Sequence, residues 1–216
     1  MTSQRNHFDF TDHLVQFLDN SLRTLANNPA VTGRPNPAEG VEEPELDEKE
    51  RKHVAGLMRI NHCGEVCAQG LYQGQALTAR TAEVREAMQE SAEEENDHLD
   101  WTEKRLKDLN SHTSLLNPLF YAGSVAIGAV AGIAGDKWSL GFVAETERQV
   151  ESHLDNHLQQ LPRQDKKSQV ILETMQADEI EHAKKAVNSG AAELPEAVKR
   201  VMGLTSKLMT RTTYYL

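Results

Sequence analysis

Cysteine is nearly missing from this sequence. The two present, Cys63 and Cys67, stand four apart inside one helical pattern. That is too few and too close for the disulfide framework of a small secreted protein, so a reducing compartment is the expectation. Net positive charge is missing as well: 33 acidic against 23 basic residues leave a formal charge of −10. Such a chain repels a phosphate backbone and carries no electrostatic footprint for nucleic acid. The N-terminus "MTSQRNHFDFTDHLVQF" lacks a basic segment followed by a long apolar run and a small-residue cleavage site, so no secretory signal is expected. Proline and glycine are sparse and clustered, whereas the long segments between them are rich in Ala, Leu, Glu, Gln and Lys. That is helix-forming composition and predicts an all-α protein. Its 216 residues suffice for one domain with a sizeable core and a terminal extension.

Apolar residues recur at helical spacing over residues 8 to 27, after which "NPAVTGRPNPAEGVEEPE" brings four prolines together. Residues 1–46 therefore read as a leading helix and linker, and residues 47–216 as the main domain. Asp47 and Glu50 form a capping-box pattern ahead of a long helix. Thr81 can cap a second helix that ends near Asn110. A third is expected from about Ser139 to Leu161, ended by Pro162, and a fourth from about Asp165 to Asn188, ended by "NSG". The tail from Pro195 to Leu216 reads as a short amphipathic helix.

Within these helices the carboxylates and imidazoles fall into a pattern. "EEENDHLDW" holds Glu95 and His98, and "ADEIEHAKK" holds Glu179 and His182. Residues three apart lie one helical turn apart on one face, so each pair can point at a common ion. One such pair is common on solvated helices, but here it occurs twice, each time in the middle of a long helix. The other two long helices carry Glu65 and Glu147 within their apolar stripes. Glu179 follows Glu95, and His182 follows His98, by 84 residues, and Glu147 follows Glu65 by 82. The chain is thus an internal repeat of a helical hairpin.

The turns give an independent check. The midpoint of positions 65 and 95 falls in "TART", and that of 147 and 179 in "LPRQD". In each hairpin the candidates therefore lie level, roughly 22 Å from the turn at about 1.5 Å per residue. Four buried carboxylates are untenable unless neutralised, and two divalent cations cancel their charge. One Glu from each of two helices with Glu-x-x-His from the other two is the ligand set of ferritin-like di-iron or di-manganese four-helix bundles. The expected metal ligands, and with them the catalytic residues, are Glu65, Glu95, His98, Glu147, Glu179 and His182. Glu145 lies about 200° round the helix from Glu147, and Glu151 breaks the repeat offset, so neither replaces it. Cys63 and Cys67 flank Glu65 on the opposite face and read as packing residues. Four residues are candidates to support the ligands from behind: Glu94 and Asp178, which could hold the ligand histidines across the bundle, and His62 and His153.

The stretch "NPLFYAGSVAIGAVAGIAG", residues 117 to 135, has no charge and is nearly long enough to cross a bilayer. A single crossing would put the two hairpins on opposite sides of the membrane and separate the ligands. The expectation is a crossover helix lying on a membrane surface, with Tyr121 and Trp138 at its margins and the basic, aromatic tail beside it. A plain burial of both against the bundle is the alternative.

"RINHCGEVCAQGLYQGQ", "EENDHLDW", "AETERQVESHLDNHLQQL" and "DEIEHAKKA", in this order, resemble the demethoxyubiquinol hydroxylase family, di-iron monooxygenases of ubiquinone biosynthesis. The resemblance covers about residues 47 to 216; the leading helix and linker lie outside it, and Cys63 stands where alanine is expected in many relatives. By position it implies the same six ligands. It further implies two iron ions and O₂ as co-substrate, with NADH or the quinol itself as reductant, although no glycine-rich dinucleotide fingerprint is present. The implied substrate is a polyprenylated quinol and the implied location the cytoplasmic face of the cell membrane, held peripherally, where other ubiquinone-biosynthesis proteins are possible partners. A ferritin-like ferroxidase or peroxidase needs the same ligands without a lipid-accessible pocket, and a helical membrane-surface adaptor needs none of them. Spacing alone does not separate iron from manganese.

Overall fold

A computed structural model describes residues 10–216, so residues 8 and 9 of the expected leading helix lie outside it. All regular elements among the described residues are helices: α1 (Phe10–Leu25), α2 (Glu48–Thr78), α3 (Ala82–Asp108), α4 (Asn117–Ala134), α5 (Asp136–Gln160), α6 (Lys166–Asn188) and α7 (Glu196–Thr213). The expected starts are fixed by side-chain caps that satisfy the orphan N–H groups of the first turn. Glu50 N donates to Asp47 Oδ1 at 2.8 Å while Asp47 N donates to Glu50 Oε2 at 3.0 Å, closing the capping box of α2. Val84 N donates to Thr81 Oγ1 at the start of α3, and Ser168 N to Asp165 Oδ1 at the start of α6. α6 ends before Gly190, whose φ of +96° only glycine adopts freely.

The third long helix starts at Asp136 rather than near Ser139. Gly135 alone, at φ +117°, separates the crossover from α5. The Asp136 carboxylate then accepts from Arg80 N, Thr81 N and Thr81 Oγ1, which ties the turn of the first hairpin to the beginning of the second.

α2 with α3 and α5 with α6 form the two hairpins of the bundle. Their apolar stripes meet in two layers. One end holds Val54, Met58, Trp101, Leu106, Leu154, Ile171, Leu172 and Met175. The other holds Ala68, Tyr72, Met88, Ala92, Leu140, Val143, Ala144 and Ala186. Positions 65, 95, 98, 147, 179 and 182 fall between the layers on all four helices, so the polar centre is closed above and below by apolar side chains.

α4 returns from the end of α3 to the start of α5 along the outside of α2. The approach is close: a Cβ on Gly128 would lie 2.2 Å from Leu71 O, and one on Gly74 2.2 Å from Val125 O. By length and composition α4 could cross a membrane, and 28% of its apolar window is buried against the bundle. Tyr121, expected at an interface, is instead buried: its hydroxyl donates to Gln73 Oε1 at 2.6 Å and lies 2.7 Å from Ser21 Oγ. From α4, the hydroxyl is thus satisfied by Gln73 on α2 and Ser21 on α1. The C-terminus is pinned by Arg59, whose guanidinium donates to Tyr214 O, His112 O and Ser111 Oγ.

Candidate metal centre

Glu65 comes from α2, Glu95 and His98 from α3, Glu147 from α5, and Glu179 and His182 from α6. All six are buried, none more than 5% exposed. Their potential ligand atoms form two groups, Glu65–Glu95–His98–Glu179 and Glu147–Glu179–His182, with the atoms of each group within 4.8 Å of one another. The two carboxylates of the Glu-x-x-His pairs face both imidazoles. Glu95 turns Oε2 to His98 Nδ1 at 2.7 Å and Oε1 to His182 Nδ1 at 3.0 Å. Glu179 turns Oε1 to His98 Nδ1 at 3.4 Å and Oε2 to His182 Nδ1 at 3.5 Å. Glu95 and Glu179 thus span the centre, while Glu65 and Glu147 stand at its two ends.

Despite these short separations, none of the contacts has hydrogen-bond geometry. Both oxygens of Glu95, both of Glu179, and Nδ1 of His98 and of His182 are buried without a hydrogen-bond partner. Buried polar atoms are normally paired, and six orphans converging on one spot are donor atoms aimed at a common centre. Mixed carboxylate and imidazole donors suit first-row divalent cations, so the cluster can hold metal ions. Its electrostatics point the same way. Burial, then the charges of Glu95 and Glu179, push Glu65 well above the usual carboxylate range, and burial followed by Glu179 and Glu95 does the same to Glu147. Burial disfavours a charged imidazole, yet the surrounding carboxylates outweigh it and hold His182 up at about 12 and His98 well above its ordinary value. Carboxylates in this interior demand positive charge, which cations supply.

The outer nitrogens are held across the bundle. His98 Nε2 meets Asp178 Oδ2 at 3.0 Å, and His182 Nε2 meets Glu94 Oε2 at 2.6 Å. Each carboxylate fixes its imidazole with Nδ1 turned inward, the arrangement that orients a metal-binding histidine. His62 and His153 do not take part: among the described residues no hydrogen bond joins either to the cluster. His62 Nδ1 faces the Asn117 amide at 3.4 Å, and His153 packs edge-on against His157 with ring centroids 4.0 Å apart. A shared helix face did not suffice, because α4 draws His62 away. The sequence reading missed Tyr72. It is buried, its hydroxyl donates to Glu147 Oε1, and it stands seven residues, or two helical turns, after Glu65, a spacing that could have marked it. Cys63 and Cys67 are free thiols.

A family model described as "Ubiquinone biosynthesis protein COQ7" matches residues 52–213. The chain belongs to this family. Its relatives include the 3-demethoxyubiquinol 3-hydroxylase of Acinetobacter baumannii (strain ATCC 17978), 58% identical over 210 residues, covering 97% of this chain and 99% of the relative. Proteins with the same name from Chromobacterium violaceum and Legionella pneumophila (strain Paris) are each 55% identical, over 203 and 208 residues, covering 94% and 96% of this chain and 98% of each relative. The family model begins only at residue 52, whereas the alignments with these relatives are too long to omit the leading segment.

Two buried histidines outside the cluster are each expected to contribute stability that acid removes. Burial holds His62 down at about 3, and burial followed by the charges of His153 and His53 does the same to His157, whose Nδ1 meets Asn61 Oδ1 at 2.9 Å. Unfolded histidine takes a proton below about 6.5. The unfolded chain therefore binds protons that the fold refuses, and the stability from each group, present above that pH, is lost as pH falls from about 6.5 towards 3. The slope is about 1.4 kcal/mol per pH unit for each group. Denaturant unfolding between pH 7 and 5 is expected to be less steeply pH-dependent in His157→Gln, by about one proton, than in the wild type; equal slopes would refute the assignment.

Proposed function

We propose that this chain is a 3-demethoxyubiquinol 3-hydroxylase with a di-iron centre, adding a hydroxyl group to the ring of a polyprenylated quinol. The observation that carries the reading is the set of six buried, inward-facing donors in two groups sharing Glu179, in a chain of this family. Glu65, Glu95, His98 and Glu179 would hold one iron, and Glu147, Glu179, His182 and Glu95 the other. Bound there, the pair supplies two-electron activation of O₂, which a protein side chain cannot perform. One oxygen atom enters the ring C–H bond and the other leaves as water, with two electrons drawn from NADH or a quinol and two protons from that donor and, for NADH, the solvent.

The chain's own residues prepare this reaction. A cavity of about 930 Å³ opens between α1, α2 and α3, large enough for a quinol ring and the start of its tail. Leu14, Phe17, Val31 and Met88 give it apolar walls, and Gln69 and Gln73 bring amides that suit ring oxygens. Tyr72 lines it too and is the link to the centre, because the same side chain donates to Glu147. It can hold a proton at its hydroxyl and keep Glu147 in place while the ring sits against it.

A polyprenyl substrate resides in a bilayer, and the molecule offers a surface to match. α4 exposes Leu119, Val130 and Ile133, and α7 exposes Val201, Leu204 and Leu208. Arg200, Lys207 and Arg211 on α7 suit anionic headgroups, and peripheral attachment to the cytoplasmic face of the cell membrane is part of this reading. In a flotation assay with anionic vesicles, the double variant Leu204→Glu/Leu208→Glu is expected to bind at least about tenfold less than the wild type. Undiminished binding would remove the membrane from the proposal.

The function itself is tested by mass spectrometry of quinones from cells lacking this protein. Accumulation of a demethoxyquinone, reversed by the wild-type chain, is the expected result. Normal ubiquinone together with iron oxidation by the purified protein would make it a ferroxidase instead.

A further inference from the structure

The two halves of the bundle support their histidines in the same way but finish the support differently. Behind His182 stands Glu94, and 3.8 Å behind Glu94 stands the Lys185 ammonium on α6. Behind His98 stands Asp178, the counterpart of Glu94 at the repeat offset of 84 residues. Applied to Lys185, the same offset gives Trp101, which carries no charge. The first half of the repeat has no cation at this position.

The leading segment returns one. Arg34 Nη2 lies 2.8 Å from Asp178 Oδ2, the oxygen that also receives His98 Nε2, and its guanidinium sits 5.1 Å over the Trp101 ring. Trp101 in turn flanks His98 with ring centroids 5.4 Å apart. The chain leading to Arg34 is fastened to α3 at the two residues between Glu95 and His98. Thr32 donates through its backbone N at 2.9 Å and its hydroxyl at 2.5 Å to the two oxygens of the buried Asp97, and Asn96 Nδ2 donates to Ala30 O at 3.1 Å. Gly33, at φ +93°, makes the turn between this clamp and Arg34. These contacts come from residues before 52, where the family model begins.

We propose that Arg34 is a positioning residue of the metal centre, delivered by the leading segment to do for His98 what Lys185 does for His182. Its charge holds the Asp178 carboxylate turned towards His98, and its stacking on Trp101 closes the site on that side. The support is therefore built into the bundle for one histidine and brought by a separate segment for the other, so the two metal positions respond to different residues. The inference rests on the cluster holding two metal ions.

The test uses the full chain, anaerobic titration with Fe(II) followed by calorimetry, and Mössbauer spectra of the ⁵⁷Fe(II)-loaded protein. The wild type is expected to bind two equivalents. Arg34→Gln should weaken one binding step about three- to fivefold, the range of a partly exposed ion pair, and alter one of two quadrupole doublets. Arg34→Lys, which keeps the charge but not the stacking, should recover part of the loss. Lys185→Gln should affect the other step. Arg34 is exposed, so thermal unfolding of the metal-free variants should match the wild type within about 2 °C. If Arg34→Gln binds both equivalents as tightly as a wild type that binds two, or if Arg34→Lys is no better than Arg34→Gln, this inference alone falls. A wild type that binds fewer than two equivalents overturns the two-metal reading and this inference with it.

Discussion

Glu179→Ala is expected to lower metal content from two ions per chain to one or none and to cut hydroxylation by at least about a thousandfold. Glu179 belongs to both groups of donors and turns one oxygen towards each imidazole, so its loss opens both positions at once. Glu65 or Glu147, each in one group, should leave one position partly intact when removed. Glu181 provides the control. It stands two residues along the same helix, exposed and paired with Lys184, and Glu181→Ala should keep metal and activity within about twofold. Metal analysis by inductively coupled plasma mass spectrometry and quinone turnover on the same preparations decide the matter. A Glu179→Ala protein that retains two ions and turns over substrate would refute the assignment of the centre.

The largest effect on stability is expected from Arg105, at the far end of the bundle from the first hairpin's turn. Its guanidinium is fully buried and donates to Ser168 Oγ at 2.9 Å, Glu43 Oε1 at 2.8 Å and Asp165 Oδ1 at 3.0 Å. Three segments meet on this side chain: the end of α3, the start of α6 and the linker. Arg105→Met fills much of the space but leaves the Asp165 carboxylate buried without a counter-charge, at a cost of about 3–5 kcal/mol. For a chain of this length that is a fall in melting temperature of roughly 6–20 °C. Arg105→Met/Asp165→Asn should recover more than half of the loss, since asparagine keeps the cap on Ser168 N without the stranded charge. Glu43 is half exposed and can turn to water. Thermal unfolding checks both variants, and a single variant melting within about 2 °C of the wild type would refute the role given to Arg105.

The two predictions differ in how far the sequence anticipates them. Glu179 was legible because its neighbours within one turn, its repeat partner 84 residues earlier and its distance from the hairpin turn all agree. Arg105 was not, because the partners it shares its burial with lie about 60 residues away in both directions, and its one local partner, Asp108 at 3.8 Å, would serve an exposed arginine on α3 equally well. The same contrast separates Glu94 and Asp178, which stand beside the cluster residues in sequence and hold the opposite histidines, from Arg34, which reaches Asp178 from the leading segment. His62 and Tyr121 mark the limit from the other side. Each had a face or a composition that suggested a role, and in each case the close seam between α2 and α4 decided otherwise.

The sequence by itself determined the helices, their caps, the repeat and the depth of six donor residues, because a period of 3.6 residues and the distance to a turn are local, additive quantities. Only the tertiary structure decided which carboxylates span the centre and which terminate it, where the leading segment lies, and which surfaces of α4 and α7 stay open. Those depend on how each helix is rotated against neighbours distant in the chain, and that rotation is set by packing many side chains at once, which no spacing encodes.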